Sequence, residues 1–174
     1  MFTLDIDDHA VQDALNRLAR RTQNLQPALQ AIGEDIMERS KKRFASSTAP
    51  DGARWKANAR STIEAFIKAK GGFGKNGLNK KGQALAISKK PLIGLSGSLR
   101  QQFHVNASPT AVTIGNSMIY AAIQQFGGKK SAYPKLWGDI PARPFLPIKA
   151  DGSLYPAEQE NILSTLNAYL ANDS

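Results

Sequence analysis

The sequence contains no cysteine in its 174 residues. That removes disulfides, thiolate metal sites and cysteine nucleophiles together. Histidine is scarce: His9 and His104 are the only two, and neither stands at metal-ligand spacing with a second ligand. No serine sits in a G-x-S-x-G elbow, and no G-x-x-x-x-G-K-[ST] occurs, which excludes a hydrolase elbow and a phosphate loop. There is no run of about 18 apolar residues, the length that a membrane-crossing helix requires. The first eight residues, Met1-Phe2-Thr3-Leu4-Asp5-Ile6-Asp7-Asp8, carry acids where a secretion signal carries lysines. Export by that route is therefore not expected.

Acid is nearly missing from one long stretch. Between Gly52 and Arg100 eleven Lys and Arg residues face a single acid, Glu64, a net of +10 against +9 for the whole chain. Such an imbalance favours acidic partners: nucleic acid, an anionic membrane or an acidic protein surface. Within it lies Gly71-Gly72-Phe73-Gly74-Lys75-Asn76-Gly77-Leu78-Asn79-Lys80-Lys81-Gly82, glycine- and lysine-rich and nearly free of apolar residues. It reads as a mobile basic loop over 71–91. Gly72-x-Gly74-x-x-Gly77 matches the dinucleotide fingerprint in form only. The preceding segment reads as helix, and no acid follows before Asp139, whereas the fingerprint needs a strand before it and an acid about 20 residues on.

What is present is a series of short, well-punctuated elements. Phe2, Leu4 and Ile6 alternate with Thr3, Asp5 and Asp7, the period of a strand. A first helix follows Asp7 or Asp8 as cap, with Val11, Leu15 and Leu18 on one face. A second begins near Pro27 and repeats Leu29, Ile32, Ile36 and Met37 at three and four, with Phe44 extending the stripe. Gly33 inside it marks either close approach of another element or simple tolerance. The basic cluster Arg39, Lys41, Lys42 and Arg43 suits a helix C-terminus or a binding patch. Glu34, Asp35 and Glu38 read as solvated partners for those cations. Pro50-Asp51-Gly52 is a turn, and Trp55 just beyond it is expected to fasten that loop to the core. A helix is expected over Asn58–Lys70. Phe103-Val105-Ala107 and Ala111–Gly115 alternate around Ser108-Pro109, an antiparallel hairpin. Met118–Phe126 reads as a short helix stopped by Gly127-Gly128. Ile140–Leu146, braced by Pro141 and Pro144, is a stiff extended segment. Arg143, between the prolines, either pairs with a carboxylate or is offered to a partner. Asp151-Gly152 turns the chain into a last helix from Pro156, with Ile162, Leu163, Leu166 and Leu170 inward.

These elements make one α+β domain over 1–174: N-terminal helices and a C-terminal helix packed on a small, mostly antiparallel sheet, with a long basic loop. No convergent set of titratable groups marks an active site, so neither catalysis, metal nor cofactor is expected.

The ordered motifs carry a resemblance. Phe44, then Pro50-Asp51-Gly52-x-x-Trp55, Thr62, Leu95-x-Gly97-x-Leu99-Arg100, Val112-x-Ile114-Gly115, Tyr120-Ala121, Gln125-Phe126-Gly127 and Ile140-Pro141-Ala142-Arg143-Pro144-Phe145-Leu146 follow one another. In that order and with those gaps, the chain resembles the Mu-like phage virion morphogenesis and tail completion family from about Leu25 to Leu170. The family often has histidine where Gln124 stands, and the basic loop from Gly71 to Lys90 looks longer than the family minimum. The resemblance implies a non-enzymatic structural protein of a phage or prophage particle, assembled in the host cytoplasm. It would act at the head–tail joint as a neck or tail completion subunit. It also implies a homo-oligomeric ring, contacts with other neck or tail proteins, and the motif residues Pro50 to Phe145 as assembly positions. Lys68, Lys70, Lys75, Lys80, Lys81, Lys89 and Lys90 are the candidates for touching packaged DNA or an acidic neighbour. The alternative reading is a non-enzymatic nucleic-acid-binding module using the basic stretch 52–100, whose affinity would fall steeply with salt.

Overall fold

The computed structural model describes residues 20, 23–94, 96–136 and 138–171. The expected N-terminal strand and first helix lie outside the described residues. Helix α1, Gln26–Ser46, is the spine. Pro27 sits in its first turn, where a missing N–H costs nothing. Ala28, Ile32, Ile36 and Phe44 form its buried stripe. Ser47 ends it in the left-handed region (φ 58°), its N–H donating to Arg43 O at 2.7 Å.

The stripe covers the hairpin of β3 (Phe103–Ala107) and β4 (Val112–Asn116), paired antiparallel with Val105 opposite Ile114. Phe103, Val105 and Ala107 face inward while His104 and Asn106 are exposed, as the alternation predicts. Gly33 is a close-approach glycine. A Cβ there would meet the Val105 γ-methyl and, at 2.8 Å, that of Val112. Helix and hairpin can therefore approach this closely only at a residue without a side chain.

Helix α6, Pro156–Ala171, runs antiparallel along α1. Its first turn brings Glu158 to Arg43, and near its end the Tyr169 hydroxyl donates to Asn24 O at 3.2 Å. Ile162, Leu166 and Leu170 face inward to some degree, but Leu163 is exposed, one position off the expected stripe.

The core sits at the C-terminal end of α1. Phe44 meets Trp55 edge-on at 5.5 Å, Phe103 at 6.2 Å and Phe145 at 5.3 Å. Leu99 from the short α4 (Ser98–Gln101) and Ala121 from α5 (Ala121–Phe126) complete it.

Two loops with the same hydrogen-bond pattern flank this core. In the first, Ala49 N donates to Ala53 O, Gly52 N to Ala49 O, Ala53 N to Asp51 Oδ1 and Trp55 N to Ser47 O. In the second, Lys149, Gly152, Ser153 and Tyr155 donate to Ser153 O, Lys149 O, Asp151 Oδ1 and Pro147 O. Gly52 and Gly152 hold φ of 82° and 85°, which explains the Asp-Gly pair in both. Each ends on an aromatic, Trp55 or Tyr155.

The 71–91 stretch differs from the expected loop. After α2, Arg60–Ala69, the chain forms a minimal hairpin, β1 (Phe73–Gly74) with β2 (Gly77–Leu78), and then helix α3, Lys80–Ser88. Among the described residues the sheet is thus two separate two-stranded pieces. The glycines serve close packing here. A Cβ on Gly82 would collide with Gly72 O, and Gly72 and Gly82 are both buried. The Asn79 side chain caps α3 by accepting from Gly82 N at 2.8 Å. Helices α2 and α3 and the small hairpin pack mainly on one another, forming a basic lobe.

Candidate assembly site

Among the described residues, the proline-braced segment has no strand beside it beyond one bridge, Gly128 with Ile140. Its buried backbone groups must find other partners, and side chains supply them. Gln125, fully buried in α5, takes the amide hydrogens of Phe145 (2.8 Å) and Leu146 (2.9 Å) on Oε1. Its Nε2 donates to Ile148 O at 2.9 Å. Trp55 Nε1 donates to Pro144 O at 2.9 Å, and Arg43 Nη1 to Phe145 O at 2.8 Å. Arg143 N donates to Gln124 O at 2.9 Å. Gly127, at φ 75°, lets the segment pass close: a Cβ would stand 2.8 Å from Ala142 N. Three elements, α1, the first Asp-Gly loop and α5, thus hold Arg143–Leu146 in one conformation.

Arg143 meets neither of its sequence expectations in full. It is buried, donating from Nε to Lys56 O (2.9 Å) and from Nη2 to Ala57 O (3.1 Å). No carboxylate pairs with it among the described residues. Burial alone pushes its guanidinium pKa down.

Beneath the core, Arg43 is joined to Glu158 Oε1 by a short ion pair, with both side chains nearly inaccessible. Arg39 Nη2 stands 3.1 Å from Glu158 Oε2, out of line for a hydrogen bond, while Arg39 Nη1 pairs with Asp35 at 2.6 Å. Burial lowers the Arg43 pKa, and Glu158 opposes that shift. Part of the basic cluster at the end of α1 therefore serves neither solvation nor a surface patch. Lys41, by contrast, pairs with Glu38 at 2.9 Å as an ordinary surface contact.

A cleft of about 620 Å³ opens between the base of the lobe and the core. Lys56, Thr62, Lys89, Tyr120, Gln124 and Arg143 are among the residues that line it. Lys89 Nζ donates to Lys90 O (3.0 Å) and to Ile93 O, and lies 5.0 Å over the Phe66 ring. Its pKa is lowered by burial first and by the Arg143 charge second. Gln124 Oε1 is buried with no hydrogen-bond donor among the described residues.

The structure gathers some motif residues and scatters others. Trp55, Leu99 and Phe145 meet in the core; Tyr120, Pro141 and Arg143 meet at the cleft, which Leu99 also reaches. Pro50, Asp51 and Gly52 shape the first Asp-Gly loop, Gly97 (φ 67°) caps α4, and Pro144 accepts from Trp55. Arg100 and Phe126 are exposed. Lys68, Lys70, Lys75, Lys80 and Lys81 are exposed on the lobe and form no ion pair among the described residues, while Lys90 Nζ is tied to Ala45 O. Gln125, Arg43 and Glu158 are not site residues by sequence: Gln125 stands within the Gln-Phe-Gly motif and Arg43 within the basic cluster of α1, but Glu158 carries no signal.

No group of three or more His, Asp or Glu could hold a metal ion among the described residues. None of the described helices is long and apolar enough to cross a membrane. Residues 6–171 match the model of the phage virion morphogenesis family. No curated protein and no solved structure matches the chain.

Proposed function

The chain belongs to the phage virion morphogenesis family, and from that premise we propose that it is a non-enzymatic structural subunit completing the neck or tail at the head–tail joint. The observation that carries the reading is the Arg143–Leu146 segment, immobilised by Gln125, Trp55 and Arg43 beside an uncovered apolar surface. Ile119 is 98% exposed, and Tyr120, Phe126 and Tyr133 are also open. Large apolar side chains left uncovered around a rigid frame suit a surface that is buried on assembly. A ring follows when such a surface meets a different surface of the next copy around a rotation axis.

Deleting the gene from its phage or prophage tests this reading. Induced lysates viewed by electron microscopy should hold heads and tails that fail to join, or tails with aberrant ends. Supplying the gene in trans should restore joined, infectious particles. Normal joined particles from the deletion strain would overturn the proposal.

A further inference from the structure

The cleft contains charge that the described chain does not neutralise. Arg143 uses two of its nitrogens on the Lys56 and Ala57 carbonyls, leaving Nη1 without a hydrogen bond among the described residues. Lys89 stands half-buried nearby, close enough that Arg143 depresses its pKa. Lys56 is exposed at the same cleft and forms no ion pair among the described residues. Among the described residues, the single acid in the lining, Asp139, already accepts from Lys130 N at 2.8 Å. Gln124 Oε1 adds a buried acceptor with no donor among the described residues. An occupant that satisfies this set brings carboxylates for the cations and an N–H for the amide oxygen. An extended acidic peptide brings both, and 620 Å³ falls within the range of about 300–1,000 Å³ typical of ligand sites.

Most acids elsewhere in the chain are committed. Asp35, Glu38, Glu64 and Glu158 are in ion pairs, Glu34 accepts from Gln30, and Asp51 and Asp151 close the two Asp-Gly loops. Residues 1–13 are different: they hold Asp5, Asp7, Asp8 and Asp13 and no Lys or Arg. Their sequence alternates Leu4 and Ile6 with Asp5 and Asp7. That alternation sets acids beside apolar residues, a match for a lining that combines Lys56, Lys89 and Arg143 with Leu92, Leu99 and Ile140.

We propose that the cleft is a socket for the acidic segment 1–13 of a neighbouring copy of this chain. The inference rests on the assembly reading and specifies one contact within it. The assembly reading supplies the neighbour: a head-to-tail contact of this kind, repeated around a rotation axis, closes a ring.

The absence of cysteine makes the contact directly testable. An Asp7→Cys chain is mixed with a Thr62→Cys chain, oxidised with diamide and run on a non-reducing gel. Lys75→Cys, on the exposed lobe, replaces Thr62→Cys as the collision control. The socket predicts a heterodimer several-fold above the control. Adding Lys56→Glu should reduce it several-fold, and adding Asp5→Lys to the Asp7→Cys chain should recover it. Cross-linking at the control level overturns the proposal, as does a yield indifferent to Lys56→Glu. So does an Asp7→Cys/Thr62→Cys double variant that closes only within one chain. If the protein still assembles while the link is absent, the socket fails and the assembly reading stands.

Discussion

Gln125→Leu is expected to lower the free energy of unfolding by about 3–6 kcal/mol. The substitution preserves bulk but removes the acceptor for Phe145 N and Leu146 N and the donor to Ile148 O. Three backbone groups would then be left without these partners at a fully buried residue, and each buried unsatisfied group costs about 1–3 kcal/mol. Gln125→Glu is the informative companion. It keeps both acceptor bonds but puts a charge at a buried site and loses the donor to Ile148 O, so it should not rescue stability. Urea denaturation followed by tryptophan fluorescence measures both variants, since Trp55 is fastened to the same segment through Pro144 O. A loss below about 1 kcal/mol for Gln125→Leu would mean that the segment does not depend on this pin.

Glu158→Leu carries the other large effect. It strips the counter-charge from Arg43, whose side chain is 9% exposed. Removing one partner of a buried pair costs about 3–5 kcal/mol, because the remaining charge stays desolvated. Arg43→Met loses the same pair together with the bond to Phe145 O. The double variant Arg43→Met/Glu158→Leu should be less destabilised than the sum of the single variants by about 1–3 kcal/mol, because neither charge is left stranded. Strict additivity in the same denaturation measurements would show that the pair contributes no coupling. The pair joins α1 to the first turn of α6, so the single variants should also loosen the docking of that helix.

The readable parts of the fold were those governed by local periodicity. The hairpin over 103–116 follows from alternation around Ser108-Pro109, and α1 from its apolar stripe after Pro27. Trp55 was recognisable as a fastening because an amphipathic ring beside a turn has both an apolar face to bury and an N–H to place. Gln125 was not recognisable. A glutamine in a short helix ordinarily points to water, and its burial depends on a segment about twenty residues later that needs hydrogen-bond partners. The Arg43–Glu158 pair was hidden for a related reason. Cations at a helix C-terminus already have a sufficient local explanation, and nothing local points to an acid in the last helix. In the sequence the glycines of the lobe suggest freedom, whereas in the fold Gly72 and Gly82 permit a backbone crossing. Each Asp-Gly turn was legible alone. Their common pattern of Asp-Gly followed by an aromatic three residues after the glycine became meaningful only with the matched hydrogen bonds.

The cleft was legible only in fragments. Tyr120, Pro141 and Arg143 were marked by motif, and Lys89 by the basic stretch. Their meeting depends on the lobe folding back between Lys56 and Leu92, a long-range closure with no periodic signature. Gln124 stood out only as a departure from the family's usual histidine, yet its side-chain oxygen is the buried acceptor left unpaired there.

The central claim is that this chain builds part of a particle by associating with itself. The most direct test is the mass of the purified 174-residue chain by light scattering after size exclusion, across a concentration series at low and moderate salt. The account predicts one discrete species at a fixed multiple of the 18.8 kDa chain, persisting on dilution. A mass of 18.8 kDa at every concentration and both salts would contradict it.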